Sequence, residues 1–178
     1  AVVRANRDQL TGPRWLVGQS MGGAITMDYL VQGHEAFDKV VLLAPLVRPA
    51  GWPSSRIVYY ATRPFLESVP RGWGKNSSDP DFPSFLRRDP LQHDRLPVQW
   101  VTAMVEWRKR FEVAGPVGNV APLVIQGDRD ETVDARYNIP VIRRVFDAEI
   151  VEIQGARHPL VNDSETVRRK IWSVLDGH

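Results

Sequence analysis

The sequence contains no cysteine. That excludes a disulfide framework, a thiol nucleophile and a cysteine-ligated metal. Histidine is also scarce: His34, His93, His158 and His178 are the whole set, too scattered to suggest a zinc site. No metal and no organic cofactor is expected. No uninterrupted apolar run approaches the roughly 20 residues of a membrane span, so no stable membrane insertion is expected either. Lysine is nearly missing, at 4 residues against 19 arginines, yet the net charge is only +2. A cationic excess of that size is weak evidence for nucleic-acid binding, and no nucleic-acid partner is expected. The chain otherwise has ordinary globular composition: 178 residues, 43% hydrophobic and 25% charged, unlike a disordered, collagen-like or coiled-coil chain. It opens on Ala1, and its first segment reads as the middle of a fold. Any targeting segment would lie upstream, and a cytoplasmic location is favoured.

The apolar pattern alternates between two periods. Val2, Val3 and Leu10 among Arg4, Arg7, Asp8 and Gln9 suggest the tail of an amphipathic helix, stopped at Thr11-Gly12-Pro13. Trp15-Leu16-Val17 reads as a short buried strand, and residues 21–31 as a helix with Gly33 as its stop. Residues 39–43 (KVVLL) and 122–126 (PLVIQ) are continuously apolar and β-branched, as buried parallel strands are. Residues 136–146 read as a helix in which Pro140 is allowed only in the first turn. Residues 148–153 (AEIVEI) form a last strand. Asp163 or Ser164 caps a final helix with Val167, Ile171, Val174 and Leu175 on one face. This order predicts an α/β fold: a mostly parallel sheet with helices on both faces.

The stretch from residue 45 to 119 differs. It is rich in proline and holds Trp52, Trp73, Trp100 and Trp107, four of the six tryptophans. Residues 96–111 have helical spacing, with Val98, Val101, Val105, Trp100 and Met104 as the apolar face. A structureless loop of that length is unusual in a compact domain. The stretch is therefore expected to be a mainly helical insertion, set where α/β folds place their ligand crevices. Its tryptophans can line an acyl pocket or simply form its own small core. The basic runs Arg87-Arg88, Arg108-Lys109-Arg110 and Arg168-Arg169-Lys170 read as solvated faces. Residues 1–44 and 120–178 are the core segments on either side.

The most informative segment is Gly18-Gln19-Ser20-Met21-Gly22. It matches G-x-S-x-G between a strand and a helix, the setting of a nucleophile elbow. A serine on so sharp a turn is forced into strained backbone angles, and Gly18 and Gly22 leave room for neighbouring chain. Small Gly23 and Ala24 let the helix pack close to the strand. The Met21 N–H at the helix start then faces a developing oxyanion. Serine is a poor nucleophile without a base, and the base needs an orienting group. The sequence supplies both, each just past a predicted strand: Asp128, Asp130 and Asp134 after PLVIQ, and His158 after AEIVEI. Strand carboxyl ends of a parallel sheet share one edge, so these loops converge.

These motifs resemble the α/β-hydrolase superfamily, in particular lysophospholipase- and monoacylglycerol-lipase-like serine hydrolases. GQSMGGA is similar to the family's elbow, GARH to its histidine loop, and DPLQHDRLP (residues 89–97) to its cap segment. QGDRDETVD is similar to its acid loop, G-x-x-D-x-x-V, and the resemblance puts the acid at Asp130. It implies a Ser20–His158–Asp130 triad acting on a small-molecule acyl ester without a cofactor, with activity rising through neutral pH as a histidine base deprotonates. The chain departs from the family in carrying Pro159 after the histidine, where an acidic residue is common. Proline there removes a backbone donor and stiffens the loop, and leaves the base intact.

Two parts of that pattern are missing. The family's second oxyanion donor comes from a loop upstream of the elbow, and its sheet has about eight strands against the four read here. The expectation is the C-terminal portion of a longer hydrolase, with the N-terminal portion a separate chain or lost. The rival is a truncated domain that pairs its open edge with a second copy. Prolyl-aminopeptidase-like relatives would instead need an acidic group for a free amine, and Glu67, Asp79, Asp81 and Glu106 are the candidates. A hydrolase-fold binding protein that keeps its triad without turnover is the third reading.

Overall fold

A computed structural model describes residues 5–6, 9, 11–34, 36–72, 76–118 and 120–178. The helix tail read from Val2, Val3, Arg4, Arg7, Asp8 and Leu10 lies outside the described residues, as does Trp73. The sheet begins with β1 (Trp15–Gln19), then helix α1 (Met21–Val31) and β2 (Lys39–Leu43). An insertion comes next: α2 (Trp52–Thr62), β3 (Ser68–Pro70), α3 (Phe82–Arg88), β4 (Arg95–Pro97) and α4 (Val98–Glu112). The chain then returns through β5 (Leu123–Gly127), α5 (Ala135–Phe146), β6 (Glu149–Ile153) and α6 (Glu165–Asp176).

β1, β2, β5 and β6 form a four-stranded sheet in that order, every pairing parallel. Alternate residues of KVVLL point to opposite faces, which explains its unbroken apolarity. Val40 and Leu42 join Met27, Leu30, Val124, Ile142 and Phe146 in the core beneath α1 and α5. Val41 and Leu43 join Leu123, Ile125, Leu160, Val167 and Ile171 beneath α6. β1 lies at one edge of this sheet, with Trp15 and Val17 exposed at 38% and 52%. β3 and β4 pair separately as a short antiparallel ribbon within the insertion.

Three local expectations are corrected. Pro140 is the sixth residue of α5, past the first turn, and its ring removes one intrahelical hydrogen bond. The helix continues because Asn138, Ile142, Val145 and Phe146 are buried, and that packing offsets the roughly 3 kcal/mol an interior proline costs. The N-terminus of α6 has Ser164 at the cap position, but without a side-chain capping bond. Asp163 is fully buried instead and accepts from the Ser78, Arg157 and Ser164 amides at 3.0, 2.8 and 2.7 Å, which ties three loops together. On α4 the buried residues are Val98, Val105, Trp107 and Phe111, while Trp100, Val101 and Met104 are half-buried. Trp107 and Phe111 stack at 5.0 Å, and Phe111 reaches Phe146 on α5. The helix thus turns its C-terminal half toward the sheet core, which spacing within α4 alone does not reveal.

The close approach of β5 to the loop after β6 yields a test. A Cβ on Gly127 would stand 2.7 Å from the Arg157 carbonyl oxygen and 2.7 Å from the Ala156 carbonyl carbon. Gly127→Ala is expected to cost about 1–3 kcal/mol, as overpacking does. Urea unfolding should show a lower midpoint with an unchanged slope, and an unaltered midpoint would contradict the rigid contact.

Candidate active site

Ser20 stands between β1 and α1 with φ of 52° and ψ of −114°, angles that L-residues rarely adopt. Its backbone is tied on every side. The Ser20 N–H donates to the Leu43 carbonyl at 2.9 Å. The Ser20 carbonyl accepts from Ala24 at 3.2 Å and Leu46 at 3.0 Å. Two glycines permit this turn, though not the expected pair. A Cβ on Gly18 would lie 2.5 Å from Thr26 Oγ1, and one on Gly23 would lie 2.9 Å from Pro45 Cβ. A Cβ on Gly22 would meet nothing within 4 Å. The steric need therefore falls on Gly18 and Gly23, because helix α1 presents Gly23 to the loop after β2. Gln19 ends β1, and its side-chain carbonyl is buried with no partner among the described residues. The Met21 N–H belongs to the first turn of α1, where it has no intrahelical acceptor.

The acid and histidine loops meet this turn. His158 Nε2 lies 2.8 Å from Ser20 Oγ, and His158 Nδ1 lies 2.9 Å from Asp130 Oδ2. With the proton on Nδ1, the imidazole donates to Asp130 and accepts from the serine hydroxyl. Of the three candidate acids, only Asp130 has such a contact. Asp128 accepts from the Gly155 amide at 2.7 Å. Asp134 caps α5 through the Tyr137 amide and pairs with Arg48 at 2.5 Å. His34, His93 and His178 are exposed.

The Asp130 carboxylate is fully buried. Burial alone would push its pKa up. The hydrogen bond and charge of His158, the Thr132 amide and the Gln126 amide outweigh burial and hold it below the ordinary carboxylate range. Its Oδ1 accepts from the Thr132 and Val133 amides at 2.8 and 3.1 Å. Its Oδ2 accepts from Gln126 Nε2 at 3.0 Å as well as from His158. Sequence reasoning missed Gln126, reading it only as the end of an apolar strand; its one signal was a lone amide closing the run PLVI.

The insertion touches the site from two directions. Its segment at residues 76–79 is stitched to the histidine loop: the His158 N–H donates to the Asn76 carbonyl at 3.1 Å, and Ser77 Oγ donates to the Asn162 carbonyl at 2.9 Å. Helix α4 lies against α1, where Trp100 Nε1 meets the Met21 sulfur at 3.0 Å and Trp107 Nε1 donates to Asp28 at 3.0 Å. Trp52 packs inside the insertion against Tyr59. The basic runs are occupied locally, as in Arg108 with Glu112, Lys109 with Glu106 and Arg169 with Glu165. Among the described residues there is no cluster of metal-ligating side chains, and no helix long and apolar enough to cross a membrane.

Comparison with known proteins bears on the family and the fold. The family described as serine aminopeptidase, S33, matches residues 1–165. A curated relative, a monoacylglycerol lipase of Mycolicibacterium smegmatis, is 24% identical over 90% of this chain; the chain spans 60% of that relative's length. Among solved structures, the Paleococcus ferrophilus monoacylglycerol lipase superposes with a TM-score of 0.78 at 21% identity, covering 98% of this chain and 71% of that one. A soluble variant of the Saccharomyces cerevisiae monoglyceride lipase, solved with a substrate analog, gives a TM-score of 0.81 at 17% identity, covering 98% and 63%. The parallel sheet and these neighbours are those of an α/β-hydrolase, and the chain belongs to the serine aminopeptidase S33 family.

Proposed function

We propose that the chain carries the Ser20–His158–Asp130 triad of a serine hydrolase that cleaves a carboxylic ester, with a monoacylglycerol, a lysophospholipid or a similar acyl ester as substrate. The observation that carries this reading is the single imidazole bonded to Ser20 Oγ on one nitrogen and to Asp130 on the other. Ser20 Oγ attacks the ester carbonyl while His158 Nε2 takes its proton. The tetrahedral oxyanion forms against the Met21 N–H, and His158 returns the proton to the leaving alcohol. Water then clears the acyl-enzyme with His158 again as base. Asp130 keeps the imidazole tautomer and stabilises the imidazolium.

In this reading residues 45–119 act as a cap, and Trp100 beside Met21 forms part of the acyl wall. The ester is favoured over a peptide with a free amine by the candidate acids. Glu106 is paired with Lys109, Asp79 accepts from the Asp81 amide, and Asp81 stands exposed ahead of α3. Glu67 lines a cavity between the segment that follows α2 and the start of α4, and none of the triad residues lines it.

The test compares p-nitrophenyl acyl esters with aminoacyl anilides. Turnover confined to the esters is expected, and preferential anilide cleavage would overturn the substrate class. A fluorophosphonate should label Ser20, and Ser20→Ala should abolish labelling while leaving the fold intact by circular dichroism. Asp130→Asn is expected to lower kcat by about 10⁴-fold, the loss seen when the base is left in the wrong tautomer. The same variant reports on stability. Because the Asp130 pKa is depressed in the folded chain, its contribution is complete above the unfolded value of 3.8 and is lost as pH falls through the folded value. The difference in unfolding free energy between wild type and Asp130→Asn should therefore shrink below about pH 4.

A further inference from the structure

We infer that Gln126 is a positioning residue for the base: its side-chain amide anchors the Asp130 carboxylate to the sheet in the orientation that faces His158. The inference rests on the triad reading above.

Gln126 is 1% exposed and comes after Leu123, Val124 and Ile125 on a strand buried along its length. An amide in that setting is costly unless its polar atoms are bonded. Its Nε2 donates to Asp130 Oδ2 at 3.0 Å and to the Gly127 carbonyl at 3.2 Å. Both partners are pure acceptors, so they set the amide orientation: only the nitrogen end satisfies the pair.

The other donors to Asp130 cannot do the same work. The Thr132 and Val133 amides lie two and three residues along the same loop as Asp130 itself. They hold Oδ1, whereas the oxygen that meets His158 is Oδ2. Among the described residues Gln126 is the donor that links Oδ2 to the sheet. With His158 present, the four donors use the roughly four lone-pair sites of a carboxylate. Nearby charges are engaged elsewhere: Arg157 pairs with Glu131 at 3.2 Å, and Asp128 accepts from Gly155. Without the Gln126 donor, the carboxylate can swing about its terminal torsion, and Oδ2 becomes a stronger acceptor from the imidazolium.

The experiment uses the full-length protein with Gln126→Met, which keeps the volume without a donor, and Gln126→Asn, which keeps an amide too short to reach. Each is expected to slow fluorophosphonate labelling of Ser20 about 10- to 100-fold, and to lower kcat on a p-nitrophenyl ester with KM unchanged. The acid limb of kcat/KM should depart from that of wild type, and the downfield proton resonance of the His158 Nδ1–H should broaden or shift. Labelling within about twofold of wild type, with a superimposable pH limb, overturns the role of Gln126. So does loss of folding in both variants while Asp130→Asn folds, since Gln126 would then be only a structural residue. A wild-type protein that takes no label overturns the triad reading and this inference together.

Discussion

The register of the parallel sheet governs where every part of the site can lie. Gln19 aligns with Leu43, Leu43 with Ile125, and Ile125 with Val151, so β1 and β2 end level while β5 and β6 run two residues further toward the same edge. The chain leaves that edge as the Ser20 turn, the Asp130 loop and the His158 loop. A slip of one residue in any pairing would exchange the two core faces and carry a site loop away from the others. Burial enforces the register, because Val40 and Leu42 face one core while Val41 and Leu43 face the other. The site is thus positioned by hydrophobic packing several residues below it.

On that base, backbone geometry and electrostatics divide the task. The strained Ser20 conformation is sustained by hydrogen bonds to Leu43, Leu46 and Ala24, and by the absence of side chains at Gly18 and Gly23. Asp130 is held differently. Its burial, unfavourable for a charge, is compensated by donors aimed at both oxygens. A buried carboxylate without them would take up a proton and cease to orient an imidazole.

The core elements were legible from sequence because their signals are local. KVVLL, PLVIQ and AEIVEI lie on β2, β5 and β6 to within a residue, since β-branched apolar runs admit few other structures. The convergence of Ser20, Asp130 and His158 was legible because the turn and both loops carry characteristic spacing. The rest depended on contacts between distant segments. Spacing alone left Asp128 and Asp134 open, and only their actual partners separate them from Asp130. Gly22 looked sterically essential by symmetry with Gly18, yet the packing of α1 transfers that need to Gly23. Asp163 read as a helix cap because nothing local announces that Ser78, 85 residues away, will bring it an amide.

The bonds between residues 76–79 and the histidine loop bear on how this chain can be re-engineered. Asn76, Ser77 and Ser78 contact His158, Asn162 and Asp163 through backbone as well as side chains. The insertion is therefore not a detachable module. A chimera that swaps helices α2 or α4 can keep His158 in register only if it retains this short segment, whose natural boundary lies with the histidine loop and not with the insertion that encloses it in sequence.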